Sequence, residues 1–535
     1  MLLRTARSKL QTLATLKQAG VIRPTRPDRA LASARALLRW GPTPAAGFTI
    51  SAVRYPDEAA IIDERGTLSF REVHERTNAL ADGLAGSGLY EGDNVAIMCR
   101  NHRGFIEAVT ACSKLGANAL LLNTAFSGPQ LADVATREQP AALIFDQEFE
   151  EVLARAGRDR RRFVAWSEPG ADLADPLVED LISRGSRADR SPPAQRGKAI
   201  ILTSGTTGTP KGASRSQPKS LDPAAALLSR IPLKARAKTL IAAPLFHSWG
   251  FAHFTLGLSL SSTYVLSRKF DPEAILTLAT RQQCTALVVV PVMLQRFLEL
   301  PEEVLRSVDL RRVKSVPVSG SALPGSLSGR WMDLFGENLF NLYGSTEVAW
   351  ATIATPRDLR EAPGTAGRPP RGTVVRLYDE TGRPVGGVGQ TGRIFVGNEL
   401  QFEGYTGGGN KDVIDGLMSS GDVGHFDSDG RLFVDGRDDE MIVSGGENVF
   451  PAEVEDLLAG HDRVAEAAVF GVEDDTFGQR LSAVVVCKPG AQITQEEIQA
   501  YVKANLAGYK VPREVRFTEE LPRTSTGKVL KRELE

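Results

Sequence analysis

The sequence predicts an α/β fold, in which a large N-terminal part with a largely parallel sheet precedes a small α+β domain. Strand-like and helix-like stretches alternate through the first half of the chain, and such alternation is typical of a parallel sheet covered by helices. From Pro451 onward the pattern resets to helix, strand, strand and helix, enough for a compact unit. The chain has 535 residues, more than one hydrophobic core can serve, so several structural units are expected.

The composition excludes several classes of protein. Hydrophobic residues make up 42% and charged residues 24% of the chain, the balance of a folded globular protein. Lys+Arg 64 against Asp+Glu 65 gives a formal net charge of −1, so no global field attracts nucleic acid. The four cysteines are far apart and form no CxxC pair, which argues against a zinc site or a disulfide framework. This cysteine usage fits a reducing compartment, and we expect a cytoplasmic protein.

Individual elements of the large part can be predicted in chain order. Ser69 and Glu72 form a capping box ahead of a helix that should run to Gly86. Short apolar runs then predict strands near 94–99, 142–145, 199–203, 239–243 and 287–290.

The rest of the chain predicts antiparallel strands and then the C-terminal unit. Beyond Gly372, glycine-punctuated runs indicate an antiparallel sheet or small barrel with strands at 373–378, 392–396 and 431–434. In the C-terminal unit a helix at 452–458 precedes strands at 464–470 and 481–487. A second capping box, Thr494 with Glu497, opens a helix that should end near Leu506.

The first 40 residues are strongly basic, with nine Arg and Lys residues against one acid, Asp28. Apolar and basic residues recur there at near-helical spacing, namely Leu3, Ala6, Leu10, Leu13 and Lys17. The pattern fits an anchor on a membrane surface, a transit segment for an organelle, or a solvated helical extension. Peripheral membrane contact through residues 1–40 and organelle targeting both stay open.

A second stretch, residues 239–267, contains no Asp, Glu, Lys or Arg. Its 29 residues would be long enough to cross a membrane. Pro244, Gly250, Gly257 and several hydroxyl residues interrupt any clean apolar run, however. We therefore interpret the stretch as buried or pocket-lining.

The segment 201–212 carries the most specific chemistry. An apolar strand ends in hydroxyl residues interleaved with glycines, and Lys211 follows. Glycines let backbone N–H groups turn toward one anion, hydroxyls add donors, and lysine adds a point charge, so the segment predicts a phosphate-binding loop. It is not a Walker A loop, because Pro210 and Gly212 replace the Gly and the Ser or Thr of that motif. Residues 387–392 match G-x-G-x-x-G but lead into a strand, so we interpret them as a turn.

The phosphate loop at 203–212 resembles that of the acyl-adenylate-forming superfamily, which includes acyl-CoA synthetases, aryl-CoA ligases, luciferases and peptide-synthetase adenylation domains. Four more blocks follow in the order of that family, at 343–347, 420–422, 436–448 and 522–528. The resemblance implies a large multi-subdomain N-terminal adenylate-forming domain and a small mobile α+β C-terminal domain. The expected division is a basic extension at 1–45, an AMP-binding domain at 46–435 and a C-terminal lid at 436–535.

The resemblance also implies roles for single residues around ATP. Glu347 resembles the carboxylate that holds the Mg²⁺ of MgATP, and Tyr343 the ring that lies against adenine. Asp422 resembles the acceptor of both ribose hydroxyls, with Arg437 reaching the same ribose. The full ATP- or AMP-binding set implied in this way is Thr203, Ser204, Gly205, Thr206, Thr207, Gly208, Lys211, Ser321, Ala322, Tyr343, Thr346, Asp422, Arg437 and Lys528.

Three further roles follow from the same resemblance. Lys528 resembles the lysine that contacts the carboxylate substrate and the α-phosphate, and with Glu347 and Lys211 it forms the implied catalytic set. Asp439 resembles the hinge about which the C-terminal domain turns between two half-reactions. The loop expected to meet the pantetheine arm of CoA consists of Ser444, Gly445 and Gly446.

The charge-free stretch includes His247, Trp249 and Gly250, which stand where relatives line the acyl pocket. An uncharged wall fits an aliphatic tail. We therefore expect a medium- to long-chain fatty acid CoA ligase that uses ATP, Mg²⁺ and CoA and forms acyl-AMP before acyl-CoA. Three alternatives stay open: a fatty-acid AMP ligase that loads a carrier protein, an aryl-CoA ligase, and a catalytically silent module that binds CoA or lipid. The expected partners are small molecules and not nucleic acid, and the sequence leaves the oligomeric state open.

Overall fold

A computed structural model describes residues 2–157, 160–203, 211–215, 220–400, 402–405, 410–438, 442–444, 447–474, 478–506, 508–524 and 527–534. Its helices are α1 Leu2–Ala19, α2 Pro27–Trp40, α3 Pro44–Arg54, α4 Phe70–Gly86, α5 Arg103–Leu115, α6 Gly128–Glu138, α7 Glu150–Gly157, α8 Val178–Arg184, α9 Asp222–Leu228, α10 Ser248–Leu260, α11 Pro272–Arg281, α12 Pro291–Leu298, α13 Glu302–Ser307, α14 Gly325–Phe335, α15 Pro356–Glu361, α16 Pro451–Ala459 and α17 Gln495–Asn505.

The strands, in chain order, are β1 Ala59–Asp63, β2 Gly66–Ser69, β3 Asn94–Met98, β4 Asn118–Leu121, β5 Ala142–Asp146, β6 Arg161–Trp166, β7 Ala199–Thr203, β8 Lys211–Arg215, β9 Lys238–Ile241, β10 Thr263–Val265, β11 Ala286–Val288, β12 Val316–Val318, β13 Leu339–Tyr343, β14 Thr352–Ala354, β15 Val374–Tyr378, β16 Pro384–Val385, β17 Gly392–Gly397, β18 Phe402–Tyr405, β19 Val413–Ile414, β20 Leu417–Phe426, β21 Leu432–Arg437, β22 Ile442–Ser444, β23 Glu447–Val449, β24 Val464–Asp474, β25 Gly478–Cys487 and β26 Glu514–Thr518.

The chain divides into two compact units. Unit 1 comprises Met1–Val289, Arg296–Pro317 and Glu399–Asn410, and unit 2 comprises Val290–Gln295, Val318–Asn398 and Lys411–Glu535. The mixed α/β architecture, with a large adenylate-forming part and a small C-terminal domain, agrees with the predicted fold class. The domain boundaries at 45 and 435 stay predictions.

Unit 1 contains the predicted, largely parallel sheet, in the strand order β18-β8-β7-β4-β3-β5-β6. Strands β7, β4, β3, β5 and β6 run parallel. At one edge β8 pairs antiparallel with β7, and β18 pairs antiparallel with β8. Apolar side chains from its strands and from α6 and α7 form one buried core. A second sheet has the order β11-β9-β10-β1-β2.

The capping box predicted before α4 is confirmed. Ser69 Oγ accepts from the Glu72 N–H, and the Glu72 carboxylate accepts from the Ser69 N–H over 2.7 Å. Each side chain thereby satisfies a backbone donor of the other residue at the helix start. The helix buries Val73, Leu80 and Leu84, whose side chains are fully inaccessible.

The predicted phosphate loop lies between two antiparallel strands at the edge of the first sheet. Thr203 at the end of β7 pairs with Lys211 at the start of β8, so the two ends of the loop are held at the same point. Residues 204–210, which include the predicted phosphate-binding residues Ser204, Gly205, Thr206, Thr207 and Gly208, lie outside the described residues.

The charge-free stretch is built as β9, α10 and β10, and most of its large side chains are buried. Tyr264 is fully buried and donates its hydroxyl hydrogen to the Phe254 carbonyl over 2.7 Å. The interpretation of this stretch as buried is confirmed. Within the described residues no helix combines the length and the apolar character that crossing a bilayer requires.

The basic extension forms two helices, where the sequence predicted one. On α1 the inward side chains are Leu16 and Ala19, and the Thr12 hydroxyl donates to Asp222. On α2 the inward side chains are Ala36 and Trp40, which pack in one cluster with residues of α3. Both helices are thus seated on the body of unit 1 through one face.

Unit 2 contains the predicted antiparallel sheet, in the order β16-β15-β17-β20-β19, with β21 beside β20. Residues 387–391 form the predicted turn into β17. The C-terminal sheet has the order β23-β22-β25-β24, and β26 pairs with β25 in parallel. Helices α16 and α17 close its core, and the capping box of Thr494 and Glu497 is confirmed.

Candidate functional site

A cluster of three predicted nucleotide-binding residues forms where β13 meets β20 and β21 in unit 2. The hydroxyl of Tyr343, the last residue of β13, donates to the Asp422 carboxylate and lies 3.0 Å from Ser420 Oγ. Asp422 on β20 pairs with Arg437 on β21, and 3.7 Å separate Arg437 Nε from Asp422 Oδ1. The fold thus assembles residues that the sequence predicted from separate blocks.

The Asp422 carboxylate lies in a largely dehydrated environment, since its side chain is only 13% exposed. Burial raises the pKa of Asp422, while the hydrogen bond from Tyr343 and the charges of Arg437 and Lys528 oppose the rise. Burial and the adjacent carboxylate raise the pKa of Tyr343, which keeps its hydroxyl a donor. A buried carboxylate with an aromatic ring and a cation beside it fits the hydroxyls and base of a nucleoside.

The loop between β13 and β14 is folded back on itself. A Cβ on Gly344 would lie 2.2 Å from the Ala349 carbonyl oxygen, so only glycine permits this close backbone approach. The N–H of Glu347 donates to Ser345 Oγ over 3.2 Å. These contacts fix the backbone that carries Thr346 and Glu347, both half-buried.

The loop between β12 and α14 presents small residues to solvent. Gly320 has φ of +111°, a conformation that side chains rarely adopt. Ser321 and Ala322 are exposed, and Leu323 next to them is buried and anchors the loop. Two exposed side chains of this size leave space for a flat base.

Lys528 lies in a tight turn near the end of the chain. Thr524 Oγ1 accepts from the Lys528 N–H over 3.1 Å, and the Thr524 N–H donates back to the Lys528 carbonyl over 2.8 Å. Gly527 has φ of +83°, and a Cβ there would lie 2.3 Å from Val292 Cγ1. The Lys528 side chain is exposed, and its positive charge favours the ionised form of the Asp422 carboxylate, which lowers the pKa of that group.

Sequence reasoning missed the residue that supports this turn. Glu466 on β24 accepts from Arg523 Nη2 over 2.8 Å with one carboxylate oxygen and from Gln295 Nε2 over 3.1 Å with the other. Arg523 in turn donates to the Gly527 carbonyl, one residue before Lys528. Glu466 carried no sequence signal, because it occupies an ordinary position in a predicted strand.

A second missed contact lies next to the predicted hinge. Arg393 on β17 donates to Asp438 over 2.9 Å and to Asp412 over 3.0 Å. The predicted hinge residue, Asp439, lies outside the described residues. The run of charged residues from Arg437 onward indicated that Asp438 would have a charged partner. Nothing in the sequence identified that partner as Arg393.

Other predicted residues are described only in part. Thr203 and Lys211 are placed as the ends of β7 and β8, and Ser444 ends β22, where it pairs with Glu447. Gly445 and Gly446, predicted to meet CoA, lie outside the described residues, so that role stays a prediction.

The predicted acyl-pocket residues lie at the start of α10 in unit 1. His247 occupies the N-cap position of the helix, and its ring centroid lies 4.5 Å from that of Phe246. Trp249 is buried, donates its indole N–H to the Val289 carbonyl over 2.9 Å, and meets His253 edge to face at 4.4 Å. Burial lowers the pKa of His247 to about 4 and of His253 to about 3, so both rings are neutral at physiological pH.

Gly250 has a different environment from the one predicted. A Cβ at this position would lie 2.3 Å from the Pro244 carbonyl oxygen. The side of Gly250 on which a side chain would stand therefore faces the backbone of the preceding turn. A larger residue at this position would displace that turn. The glycine is explained by close packing of helix against backbone.

Cys99, His102 and Asp146 form a buried group with the donor atoms of a metal site. His102 Nδ1 accepts from the Gly104 N–H over 3.0 Å, and Nε2 lies 2.7 Å from Asp146. Both ring nitrogens are therefore already engaged, and the group fits a structural network better than a metal site. Burial keeps the thiols of Cys99, Cys112 and Cys284 protonated, and it raises the pKa of the last two to about 12.

Comparison with known proteins places this geometry in context. Residues 48–406 match the family described as AMP-binding enzyme, and residues 453–528 match the AMP-binding enzyme C-terminal domain. A feruloyl-CoA synthase from Amycolatopsis sp is 34% identical, with 91% of this chain and 97% of the relative covered. An indoleacetate–CoA ligase from Aromatoleum aromaticum is 33% identical over 89% of this chain and 94% of the relative.

A solved structure agrees with these sequence relatives. The o-succinylbenzoate CoA synthetase from Bacillus subtilis, in complex with its acyl-adenylate intermediate, superimposes with a TM-score of 0.79 at 26% identity. The alignment covers 91% of this chain and 97% of that structure. The sequence-based assignment to the acyl-adenylate-forming superfamily is confirmed.

Proposed function

This chain belongs to the AMP-binding enzyme family and is a CoA ligase that works through an acyl adenylate, and within this family we propose that its acid substrate is aromatic. ATP and CoA are the substrates typical of the family. A carboxylate resists attack by a thiol, whereas the mixed anhydride with AMP has a good leaving group.

For the nucleotide, we assign the ribose to Asp422 and the adenine to Tyr343. The Asp422 carboxylate would accept from the ribose hydroxyls, with the Tyr343 hydroxyl and the Arg437 guanidinium holding it in place. Ser321 and Ala322 would form the open wall across the base.

For the phosphates, we assign the loop between β7 and β8, with Lys211 at its end, and the hydroxyl of Thr346. Glu347 would hold Mg²⁺, which supplies charge neutralisation on the phosphate oxygens when bound. Lys528 would contact the acid and the α-phosphate during adenylation, where its exposed ammonium would offset the negative charge that develops on the phosphate oxygens. The pantetheine arm of CoA is assigned to the loop that follows Ser444.

The observation that carries the choice of acid is the set of aromatic rings at the start of α10. Phe246, His247, Trp249 and His253 cluster in a stretch without charged residues, with the His247 ring half-buried and the other three rings buried. Planar rings pack favourably against other rings in offset or edge-to-face arrangements. Relatives named for ferulate and indoleacetate support the same substrate class.

The sequence alone favoured a medium- or long-chain fatty acid, because an uncharged wall accommodates an aliphatic tail. The aromatic alternative is now the better supported of the two, since relatives at 33–34% identity are named for aromatic acids.

The test measures pyrophosphate release with ATP and one acid at a time. Ferulate, indole-3-acetate and benzoate are compared with octanoate and palmitate, and AMP release is then followed with and without CoA. We expect kcat/KM for the best aromatic acid to exceed that for either fatty acid by roughly 10- to 200-fold, the range that apolar pocket contacts provide. A higher kcat/KM for octanoate or palmitate would refute the aromatic assignment.

A pair of variants links the preference to α10. His247→Ala removes a half-buried ring at the proposed pocket, and Phe270→Ala removes an exposed ring elsewhere in unit 1. The first variant should change the ratio of kcat/KM between aromatic and aliphatic acids, and the second should leave that ratio unchanged. Equal ratios in both variants would place the acid away from His247.

A further inference from the structure

The first helix of the basic extension has two apolar faces. One face is buried against unit 1 through Leu16 and Ala19. An outward side of the same helix carries Leu10 and Leu13, which are 67% and 52% exposed, followed by Lys17. These positions recur with helical spacing, so they lie along one side of the helix.

The second helix repeats this arrangement. Trp40 and Ala36 are buried, while Leu31 and Leu38, at 53% and 81% exposure, lie one above the other on the outer side with Arg35 between them. Leucines at such exposure lose the stabilisation that burial would give them. Among the described residues, the extension holds six of the fourteen exposed large hydrophobic side chains, which marks it as an unusual part of the surface.

The inner faces hold the helices so that the leucines stay outward. The Ala19 carbonyl accepts from the Ala235 N–H over 2.8 Å, and Lys234 donates to the Gln18 carbonyl over 3.0 Å. Arg29 on α2 donates to the Arg54 carbonyl over 2.8 Å. The outer leucines therefore cannot be buried against unit 1 without loss of these contacts.

The charge around the leucines is one-sided. Nine cations against one acid give residues 1–40 a net charge of +8, in a chain whose total is −1. Exposed cations border both helices: Lys9, Lys17, Arg23, Arg26, Arg35 and Arg39. Exposed leucines bordered by Lys and Arg are the composition of helices that lie in the interface of an anionic membrane.

We propose that the outer faces of α1 and α2, which carry Leu10, Leu13, Leu31 and Leu38, bind the surface of an anionic lipid bilayer. The leucines enter the boundary between headgroups and acyl chains, and the cations meet the lipid phosphates. A second copy of this chain fits less well, because two surfaces of charge +8 repel each other. The extension precedes residue 48, where the match to the AMP-binding family begins, so this surface is separate from the adenylate-forming machinery.

The test is flotation of the full chain with vesicles of phosphatidylcholine, with and without phosphatidylglycerol. The intact protein should float only with the anionic vesicles, and salt should weaken the binding, because surface charges are screened within about 10 Å at 0.1 M. The double variant L13D/L38D should lower the partition coefficient by about a hundredfold or more, since each buried leucine contributes about tenfold or more. Leu334→Asp, which alters an exposed leucine on α14 at 55% exposure, should bind as the intact protein does.

A charge variant tests the second half of the proposal. The double variant R35Q/R39Q should weaken vesicle binding roughly fivefold for each cation removed. The control variant Arg312→Gln, at an exposed arginine elsewhere, should not weaken it. Melting temperature and turnover of a water-soluble acid, measured on every variant, show that the fold is intact. The proposal is overturned if the intact protein does not float, if L13D/L38D floats equally well, or if light scattering shows a dimer that L13D/L38D dissociates.

Discussion

The Tyr343 hydroxyl donates a hydrogen bond to the Asp422 carboxylate, although 79 positions separate the two residues in the chain. The contact joins the end of β13 to the middle of β20. It opposes the effect of burial on Asp422 by favouring the ionised carboxylate. An ionised carboxylate can accept from two hydroxyl donors at once, which is the property that the proposed ribose site would use.

The variant Tyr343→Phe should therefore weaken AMP binding while keeping the ring. The pKa of Asp422, already raised by burial, should rise further, so the loss of affinity on acidification should begin at higher pH. We expect roughly tenfold weaker binding, typical of a hydrogen bond to a charged group, measured by calorimetry across the acidic range. Tyr378→Phe removes a similar Tyr–Asp hydrogen bond, to Asp415, and should leave AMP binding unchanged. Equal affinity and pH dependence for Tyr343→Phe and the intact protein would contradict this role.

Lys528 should act in only one of the two half-reactions. Lys528→Ala removes the charge facing the phosphorus during adenylation, and we expect a loss of roughly 100- to 1,000-fold, as for other preorganised donors. Conversion of supplied acyl-AMP and CoA to thioester should stay near the rate of the intact protein. Lys531→Ala, three positions along, breaks an ion pair with Glu455 and serves as the control. Similar losses in both half-reactions would show that Lys528 is not specific to adenylation.

Glu466 should be a positioning residue for the Lys528 turn. Glu466→Gln weakens the contact with Arg523, which holds the Gly527 carbonyl, and adenylation should fall by about tenfold. The KM for ATP should change less than kcat, since Glu466 itself is not assigned to the nucleotide. Glu453→Gln removes an ion pair with Lys510 in the same domain and should leave adenylation intact. A larger effect on the thioester step than on adenylation would refute this assignment.

Lys114 should make the stability of the protein depend on pH. Burial lowers the pKa of this lysine to about 7, and its ammonium donates to Asn78 Oδ1 and the His74 carbonyl. The unfolded chain binds the proton more tightly, so the folded state is penalised at neutral pH and gains stability as pH rises toward the unfolded pKa. The free energy of unfolding in urea should gain about 2 kcal/mol between pH 7 and pH 9 from this group.

The variant Lys114→Met should lose this gain in the free energy of unfolding between pH 7 and pH 9. The prediction holds whether the variant is more or less stable than the intact protein at any one pH. Lys269→Met, at an exposed lysine of the same unit, should retain it. The readout is the difference in slope of unfolding free energy against pH. An identical slope in Lys114→Met and the intact protein would mean that another group is responsible.

The sequence predicted those elements whose local pattern agrees with their final environment. The capping boxes at Ser69 and Thr494 and the buried strands β3, β5 and β7 were all found from short-range signals. Helix α2 was missed because leucines on its outer side and Trp40 on its inner side leave no single apolar face. The start signal was nevertheless present, since Pro27 occupies the first turn.

In the candidate site, the sequence identified residues that lie within recognisable blocks, such as Tyr343 and Asp422. It did not identify Glu466 or Arg393, whose partners are set by how strands from distant parts of the chain are brought together. At Gly250 the sequence does not show why a side chain is absent, since a glycine there could leave space for a ligand or for nearby backbone. Only the position of Pro244 decides between the two.

The different burial of the four cysteines provides a practical probe. Cys99, Cys112 and Cys284 are buried, whereas Cys487 is partly accessible on β25 of the C-terminal domain. Attack by a thiolate on a maleimide needs both access and deprotonation, so Cys487 should react first. The unaltered chain therefore offers one preferred attachment point for a fluorophore on the C-terminal domain. Emission from such a dye would test whether this domain reorients during turnover, without any prior removal of native thiols.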